Sequence, residues 1–300
     1  MATDRDGIER LGQQVEKMRR LQGHGNGRSM PRLSDAGQDG LQVLLSRLQE
    51  RREAIPPEER ARLERERAEA ERCRKEDRKR EREREKRQHV ESLLERCGVA
   101  NRERGRGMEE FTPRPHQVEA AKMVSGLLAE FLSGRRDWWL VLQGQRGVEP
   151  GNPGANGIGK SALVQAFTVS LCRDGIQAEF WPETRLIREL FRRIRLSGED
   201  GLSEFIDHLC EIDCLAVDNM GMAGDFTGSR VTPVGEFLRQ NLFDVLDTRT
   251  DDRPVLITTN LSGDEYEVRY GRDLYSRVYG MTARQESWIA FSGPDLRKEW

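Results

Sequence analysis

An eight-residue segment, GANGIGKS at residues 154–161, constrains the fold of this chain more than any other feature of its sequence. It satisfies the pattern G-x-x-x-x-G-K-[ST], follows a strand-like run at 138–143 and opens a helical pattern at 162–172. Glycines in such a loop let backbone N–H groups curl around phosphate oxygens, and the start of the helix adds partial positive charge. The sequence therefore predicts a phosphate-binding loop, the P-loop, between a strand and a helix.

The residues of the P-loop have separate predicted roles in binding ATP. The Lys160 ammonium would neutralise the β- and γ-phosphates, and the Ser161 hydroxyl would ligate Mg²⁺. The predicted nucleotide-binding residues are Gly154, Asn156, Gly157, Ile158, Gly159, Lys160, Ser161 and Ala162. The long connection QRGVEPGNP at 145–153 precedes them, and we expect it to bulge into solvent.

Five short runs rich in β-branched, aromatic and aliphatic residues alternate with helical patterns. They cover residues 138–143, 177–181, 212–218, 254–260 and 286–291. Such alternation is typical of a parallel sheet covered by helices on both faces. The sequence thus predicts a three-layer α/β domain with a five-stranded parallel sheet.

Polar residues end two of these runs, where they could act on the nucleotide. Asp218 ends IDCLAVD and is placed to hold Mg²⁺ through water, and Asn260 can position water against the γ-phosphate or simply cap a turn. Many ATPases carry an acidic residue directly after that aspartate, whereas this chain has Asn219. An amide can orient water but cannot accept its proton. We therefore expect an ATPase that is slow or stimulated by a partner.

The N-terminal third differs in character from the rest. Residues 1–56 are polar and glycine-containing, and we expect them to be flexible. Residues 57–97 are dominated by arginine and glutamate, with opposite charges one turn apart, which favours a solvated helix about 60 Å long. It could be a spacer or a partner-docking arm. The remaining residues, 98–300, are predicted to form one ATPase domain.

Composition excludes several other classes of protein. The net charge of -2 gives no overall basic field, so any nucleic-acid contact needs a local patch. The five cysteines include no CxxC pair, which argues against a zinc module or a disulfide framework. No apolar run approaches the roughly 20 residues of a membrane span, and the N-terminus lacks the apolar stretch of a signal peptide. We therefore expect a cytoplasmic protein that does not bind membranes.

Four segments together resemble a known family: GIGKSALVQAF, LAVDNMG, FLRQNLFDVLDTRTDDRPVLITTNLS and YGRDLYSRV. They are similar to the DnaC/DnaI replicative helicase loaders and their IstB transposition-helper relatives, which are AAA+ ATPases. The resemblance runs from about residue 94 to the C-terminus. It implies the AAA+ version of the three-layer fold, with Lys160 and Ser161 at the Walker A positions, Asp218 as the Walker B aspartate and Asn260 as sensor 1.

The resemblance also implies two sites for larger partners. Arg277 matches the last arginine of the family's G-E-R-x-x-S-R pattern, which acts on the nucleotide of a neighbouring subunit and so requires self-association. The family's preceding arginine is out of register, because Asp273 occupies its place and Arg272 stands one position earlier. The segment FWPETRLIRELFRRIRL fills the place of a helical element that lines a DNA-binding pore in helicase loaders. Its candidate DNA-binding residues are Arg185, Arg188, Arg192, Arg193 and Arg195.

Three functions remain open from the sequence. The first is a helicase loader that binds ATP and single-stranded DNA and recruits a replicative helicase through its N-terminal region. The second is an IstB-like transposition helper that binds duplex DNA. The third is a non-hydrolysing adaptor that ATP binding alone switches. A solvated helix face remains the alternative for the arginine cluster.

Overall fold

The computed structural model describes Ser46 and residues 56–145, 156–221, 233–250, 252–283 and 286–296. The chain divides into two units, Met1–Asp77 and Arg78–Trp300, and every strand described lies in the second. The flexibility predicted for residues 1–56 falls almost entirely outside the described residues. So do Gly154 and nearly all of the long connection before the P-loop.

Five strands form one sheet in the second unit. They are β1 (Trp139–Gly144), β2 (Ala178–Pro182), β3 (Cys214–Met220), β4 (Val255–Thr259) and β5 (Trp288–Phe291). Their order is β2-β3-β4-β1-β5, and every neighbouring pair is parallel. Each strand begins and ends within two residues of the run that predicted it. Since a parallel sheet is buried on both faces, its strands appear in sequence as nearly continuous apolar runs.

The helices described are α1 (Pro57–Arg96), α2 (Val118–Leu132), α3 (Lys160–Arg173), α4 (Glu183–Glu211), α5 (Pro233–Thr248), α6 (Gly263–Tyr270) and α7 (Arg272–Ala283). The charged helix predicted over 57–97 is α1. Its side chains have no apolar stripe before its last turns, where Leu93 and Leu94 pack against the core. None of the helices in the described ranges is long and apolar enough to cross a membrane.

Alternate residues of β1 face two hydrophobic cores, one on each side of the sheet. Trp139 and Val141 pack in the core that contains residues of α4 to α7. Leu140 and Leu142 pack in the other core, with residues of α2 and α3. The predicted three-layer fold of AAA+ type, preceded by a long charged helix, is confirmed. The carboxyl ends of β1, β3 and β4 meet at one edge, and this edge carries the candidate site.

Candidate nucleotide-binding site

The described part of the P-loop leads directly into α3. Gly157 and Gly159 have positive φ angles of 71° and 94°, a conformation that glycine adopts without strain. The second glycine is the N-cap of α3, which begins at Lys160. The helix predicted over 162–172 is therefore confirmed and starts two residues earlier than expected. The arrangement aims the positive end of the helix at the edge of the sheet.

The lysine of the P-loop contacts the end of β4. Lys160 is 5% exposed, and its Nζ donates a hydrogen bond of 2.6 Å to Asn260 Oδ1. The Asn260 Nδ2 group in turn donates to Asn156 Oδ1 at 2.8 Å. The contacts form because β4 pairs with β1, the strand that precedes the P-loop. Two residues assigned separate roles from the sequence thus lie in direct contact.

A second set of hydrogen bonds centres on Asp218, at the end of β3. Its Oδ1 accepts from Ser161 Oγ at 2.7 Å and from Thr258 Oγ1 at 2.6 Å. Burial raises the pKa of the Asp218 carboxyl, and the two hydroxyl donors and Lys160 oppose that rise. No sequence motif indicated a role for Thr258, whose hydroxyl reaches this carboxylate because β4 lies beside β3.

The Ser161 and Asp218 oxygens would fit the magnesium ion predicted from the sequence. Hydroxyl and carboxylate oxygens are the hard donors that Mg²⁺ prefers, and few protein ligands are needed because phosphate oxygens and water complete its shell. Both oxygens lie at the N-terminus of α3, where phosphates would bind.

Asn219 contacts the same network. Its backbone has a positive φ of 56°, its N–H donates to Thr258 Oγ1 at 2.8 Å, and its Nδ2 donates to Asp218 Oδ2 at 3.0 Å. The side chain therefore supports the carboxylate that precedes it. An acidic residue in this position would place a second negative charge beside Asp218.

A cavity of about 730 Å³ opens beside these residues, within the size range of small-molecule sites. Residues 156–162, Asn219 and Asn260 line it. Its other walls come from parts of the chain that the motifs did not indicate. These are Ala100, Arg102, Glu103, Arg106, Gln165 and Leu296.

Arg277 does not line this cavity. It lies on α7, half-exposed, and its Nη2 forms an ion pair with Asp247 of α5, whose side chain is also half-exposed. An exposed ion pair of this kind contributes little to stability and exchanges readily for another anionic partner. The role of Arg277 toward a neighbouring subunit stays a prediction.

The arginine cluster lies in the first part of α4, which a non-helical Gly198 (φ 66°, ψ -153°) separates from the second part. Glu189 binds two of the five arginines: Arg192 in a bidentate pair, and Arg193 at 2.8 Å. These guanidinium groups lower the pKa of Glu189 to about 2. Two of the five positive charges are therefore partly neutralised within the helix.

The remaining arginines of the cluster have looser contacts. The Arg185 guanidinium lies 4.8 Å from the centre of the Trp181 ring and donates to the Gly98 carbonyl at 3.1 Å. Arg188 donates to the backbone of its own helix, at Thr184 O, and is exposed, as is Arg195. DNA binding by this helix stays a prediction.

Comparisons with known proteins place this site in context. Residues 152–276 match the family model described as IstB-like ATP binding protein. No curated protein sequence matches significantly. A structure of the DnaC helicase loader is 19% identical with a TM-score of 0.48, and the match covers 64% of this chain and 99% of that one. A structure of DnaI is 17% identical with a TM-score of 0.47, and that match covers 66% of this chain and 93% of the DnaI chain.

An AMPPCP-bound DnaA structure from Aquifex aeolicus is also similar, at 14% identity and a TM-score of 0.45. That match covers 62% of this chain and 49% of the DnaA chain, so this chain spans about half the length of that relative. These sequence identities and TM-scores are too low for the function of this chain to be inferred from those structures. The family match covers the P-loop, β3 and β4 with their polar ends, and Arg272 to Ser276. The resemblance of this chain to the IstB-related AAA+ ATPases is therefore confirmed for residues 152–276.

Proposed function

We propose that this protein is a DNA-acting AAA+ ATPase that binds ATP with Mg²⁺ at the P-loop and uses the bound state to load a replicative helicase. One observation carries the ATP-binding part. The Lys160–Asn260 and Ser161–Asp218 contacts bring three sequence-separated motifs together beside one cavity. The helicase-loading part rests on the resemblance of the sequence motifs.

Each residue of the site has a defined task in this proposal. Lys160 exchanges its Asn260 partner for the β- and γ-phosphates, which leaves the Asn260 amide to orient a water molecule. Ser161 and Asp218 would hold Mg²⁺. When bound, the ion neutralises charge that develops on the phosphates.

Hydrolysis by an isolated subunit should be slow. The residue after Asp218 is Asn219, whose side-chain amide faces the Asp218 carboxylate and cannot accept a proton from water. Arg277 of an adjacent subunit would supply the cation that stabilises the transition state. Single-turnover hydrolysis with and without DNA tests this idea. Rates that match a Lys160→Ala control under both conditions would instead support a non-hydrolysing adaptor.

The DNA-contacting element in this proposal is the first part of α4. Arg188, Arg192 and Arg195 are exposed there and could follow the phosphate backbone of single-stranded DNA. The N-terminal region would then bind the helicase. Deleting residues 1–77 removes the first unit and spares Leu93 and Leu94, which pack in the core. The deletion should abolish helicase binding and leave ATP binding intact, whereas retained helicase binding would refute this division of labour.

The family match favours a second candidate, a transposition helper that assembles on duplex DNA. Its ATP site would be the same, so the two candidates differ in the DNA they bind and the assembly they form. Negative-stain electron microscopy of the ATP-bound protein on duplex DNA separates them. Continuous filaments would support the transposition helper, and small discrete complexes with a preference for single strands would support the helicase loader.

A further inference from the structure

Two chain segments outside the motif hold the P-loop. On the N-terminal side, Gln117 is 3% exposed and its Nε2 donates to the Ile158 carbonyl at 2.8 Å. On the C-terminal side, the backbone N–H of Leu296 donates to the Gly157 carbonyl at 3.1 Å. The loop is thus bound through two successive carbonyl groups.

These bonds fix the direction of the loop's donors. A trans peptide unit is planar, and its N–H points opposite to its carbonyl. When Gln117 binds the Ile158 carbonyl, the N–H of Gly159 is directed to the other side of the loop. When Leu296 binds the Gly157 carbonyl, the same holds for the N–H of Ile158. The N–H groups of a P-loop bind phosphate oxygens. The bonds that Gln117 and Leu296 make to the loop carbonyls therefore set the direction in which these N–H groups can bind phosphate.

The glycines of the motif show how tightly the two segments press on the loop. A Cβ on Gly159 would lie 2.0 Å from Gln117 Nε2, and a Cβ on Gly157 would lie 1.7 Å from Asp295 Oδ1. A side chain at either position would therefore have to displace Gln117 or Asp295, and the positive φ angles of both glycines would strain it as well. The segments also touch each other, because a Cβ on Gly293 would lie 2.3 Å from a ring atom of His116.

The amide of Gln117 can be oriented in only one way here. Its Oε1 accepts from the backbone N–H of Arg114 at 2.8 Å, so its Nε2 must face the Ile158 carbonyl. Gln117 is also the N-cap of α2, whose apolar face is buried in the core. The packing of α2 in the core thus fixes the position of Gln117, which binds the P-loop.

We propose that Gln117 is a positioning residue for ATP binding, which holds the P-loop in its phosphate-binding conformation together with the backbone of Leu296. The inference rests on the proposed function, since it assumes that the loop binds ATP. Among the described residues, Gln117 Nε2 donates to the loop carbonyl of Ile158. Gln117 does not line the cavity of about 730 Å³, but it lines a smaller one of about 480 Å³ that shares Gly159 and Ala162 with it. The contact through which Gln117 acts on the loop is the Ile158 carbonyl.

The test is Gln117→Glu in the full-length chain, with ATP·Mg²⁺ affinity measured by calorimetry between pH 5.5 and 8. An ionised carboxylate would face the Ile158 carbonyl and repel it, whereas a protonated one could donate in place of the amide. The His116 ring, whose Nε2 lies 3.3 Å from the same carbonyl oxygen, is present in wild type and variant alike, so their affinities are compared at equal pH. Burial should raise the pKa of this carboxyl above the usual value of about 4.3, into the measured range. We expect affinity about tenfold or more below wild type at pH 8. The deficit should narrow to about threefold at pH 5.5.

Gln143→Glu is the matched control. The Gln143 Oε1 only accepts a bond, from Trp288 Nε1 at 2.8 Å, and a carboxylate accepts equally well. This variant should follow the wild-type affinity at every pH. Thermal unfolding without nucleotide confirms that each variant is folded.

Three outcomes separate the possible failures. No ATP binding by the wild type would overturn the proposed function itself. Normal ATP binding by both wild type and Gln117→Glu at all pH values would overturn only the positioning role. A deficit that does not narrow at low pH would overturn it too, because the lost hydrogen bond would then not be its cause.

The backbone contact of Leu296 has an independent test. Leu296→Pro removes the N–H that binds the Gly157 carbonyl, while Leu296→Ala keeps it and shortens only the side chain. We expect the proline variant to bind ATP·Mg²⁺ about fivefold more weakly than the alanine variant. Equal affinities of the two variants would contradict the role of this backbone bond.

Discussion

Replacing Thr258 by valine removes one buried hydroxyl with little change in side-chain volume. That hydroxyl is fully buried, donates to Asp218 Oδ1 and accepts from the Asn219 N–H. A hydrogen bond to a charged group contributes about 1.5–3 kcal/mol, and an unpaired buried donor costs about 1–3 kcal/mol. Asn219 is only half-buried, so water can reach its N–H and reduce the second effect. We therefore expect Thr258→Val to lower the free energy of unfolding by about 2–3 kcal/mol.

Urea unfolding of the nucleotide-free protein, followed by tryptophan fluorescence, measures this loss. Thr168→Val is the matched control, because the Thr168 hydroxyl is equally buried but donates at 2.9 Å to Val164 O within its own helix. That carbonyl also accepts the ordinary helical hydrogen bond. The free energy of unfolding of the control should therefore fall by less than about 1 kcal/mol. A loss for Thr258→Val no larger than that of the control would refute the reasoning about Asp218.

Three further predictions concern other parts of the molecule. The Glu179 carboxylate raises the pKa of His208. The pair therefore stabilises the fold below pH about 6.5, and this stabilisation is lost as the pH rises through the raised pKa. The variant His208→Gln should therefore show a flatter pH dependence of the free energy of unfolding. Arg277→Ala should lower DNA-stimulated ATP hydrolysis about tenfold or more without changing ATP affinity. Asp247→Asn, which only releases the Arg277 guanidinium, should keep the DNA-stimulated hydrolysis. An equal loss of hydrolysis in both variants would contradict a role of Arg277 at the nucleotide of a neighbouring subunit. Arg188→Ala should weaken single-stranded DNA binding and reduce its log–log salt slope by about 0.7, and an unchanged slope would exclude a phosphate contact.

The strands and the P-loop were predictable because their signals are local. Burial on both faces makes β1, β3 and β4 apolar except near their carboxyl ends, and the glycine-lysine spacing of the loop lies within eight residues. The meeting of Lys160 with Asn260 and of Ser161 with Asp218 follows once the strands are placed in one parallel sheet.

The contacts that complete the site were not predictable, because they join distant parts of the chain. Gln117 lies 41 positions before the carbonyl that it binds. Thr258 reaches Asp218 and Asn219 through an irregularity in the β3–β4 pairing between Val217 and Met220. A bulge of this kind turns one residue away from the regular register, and no residue type marks it in the sequence.

The central claim is that residues 154–161 bind the triphosphate of ATP. Calorimetric titration of the full-length protein with ATPγS in the presence of Mg²⁺ tests it most directly, with Lys160→Ala as the comparison. We predict one nucleotide bound per chain, and an affinity about tenfold or more lower in the variant, because the lysine is the charge that meets the β- and γ-phosphates. No binding by the wild type, or equal binding by both proteins, would contradict the claim.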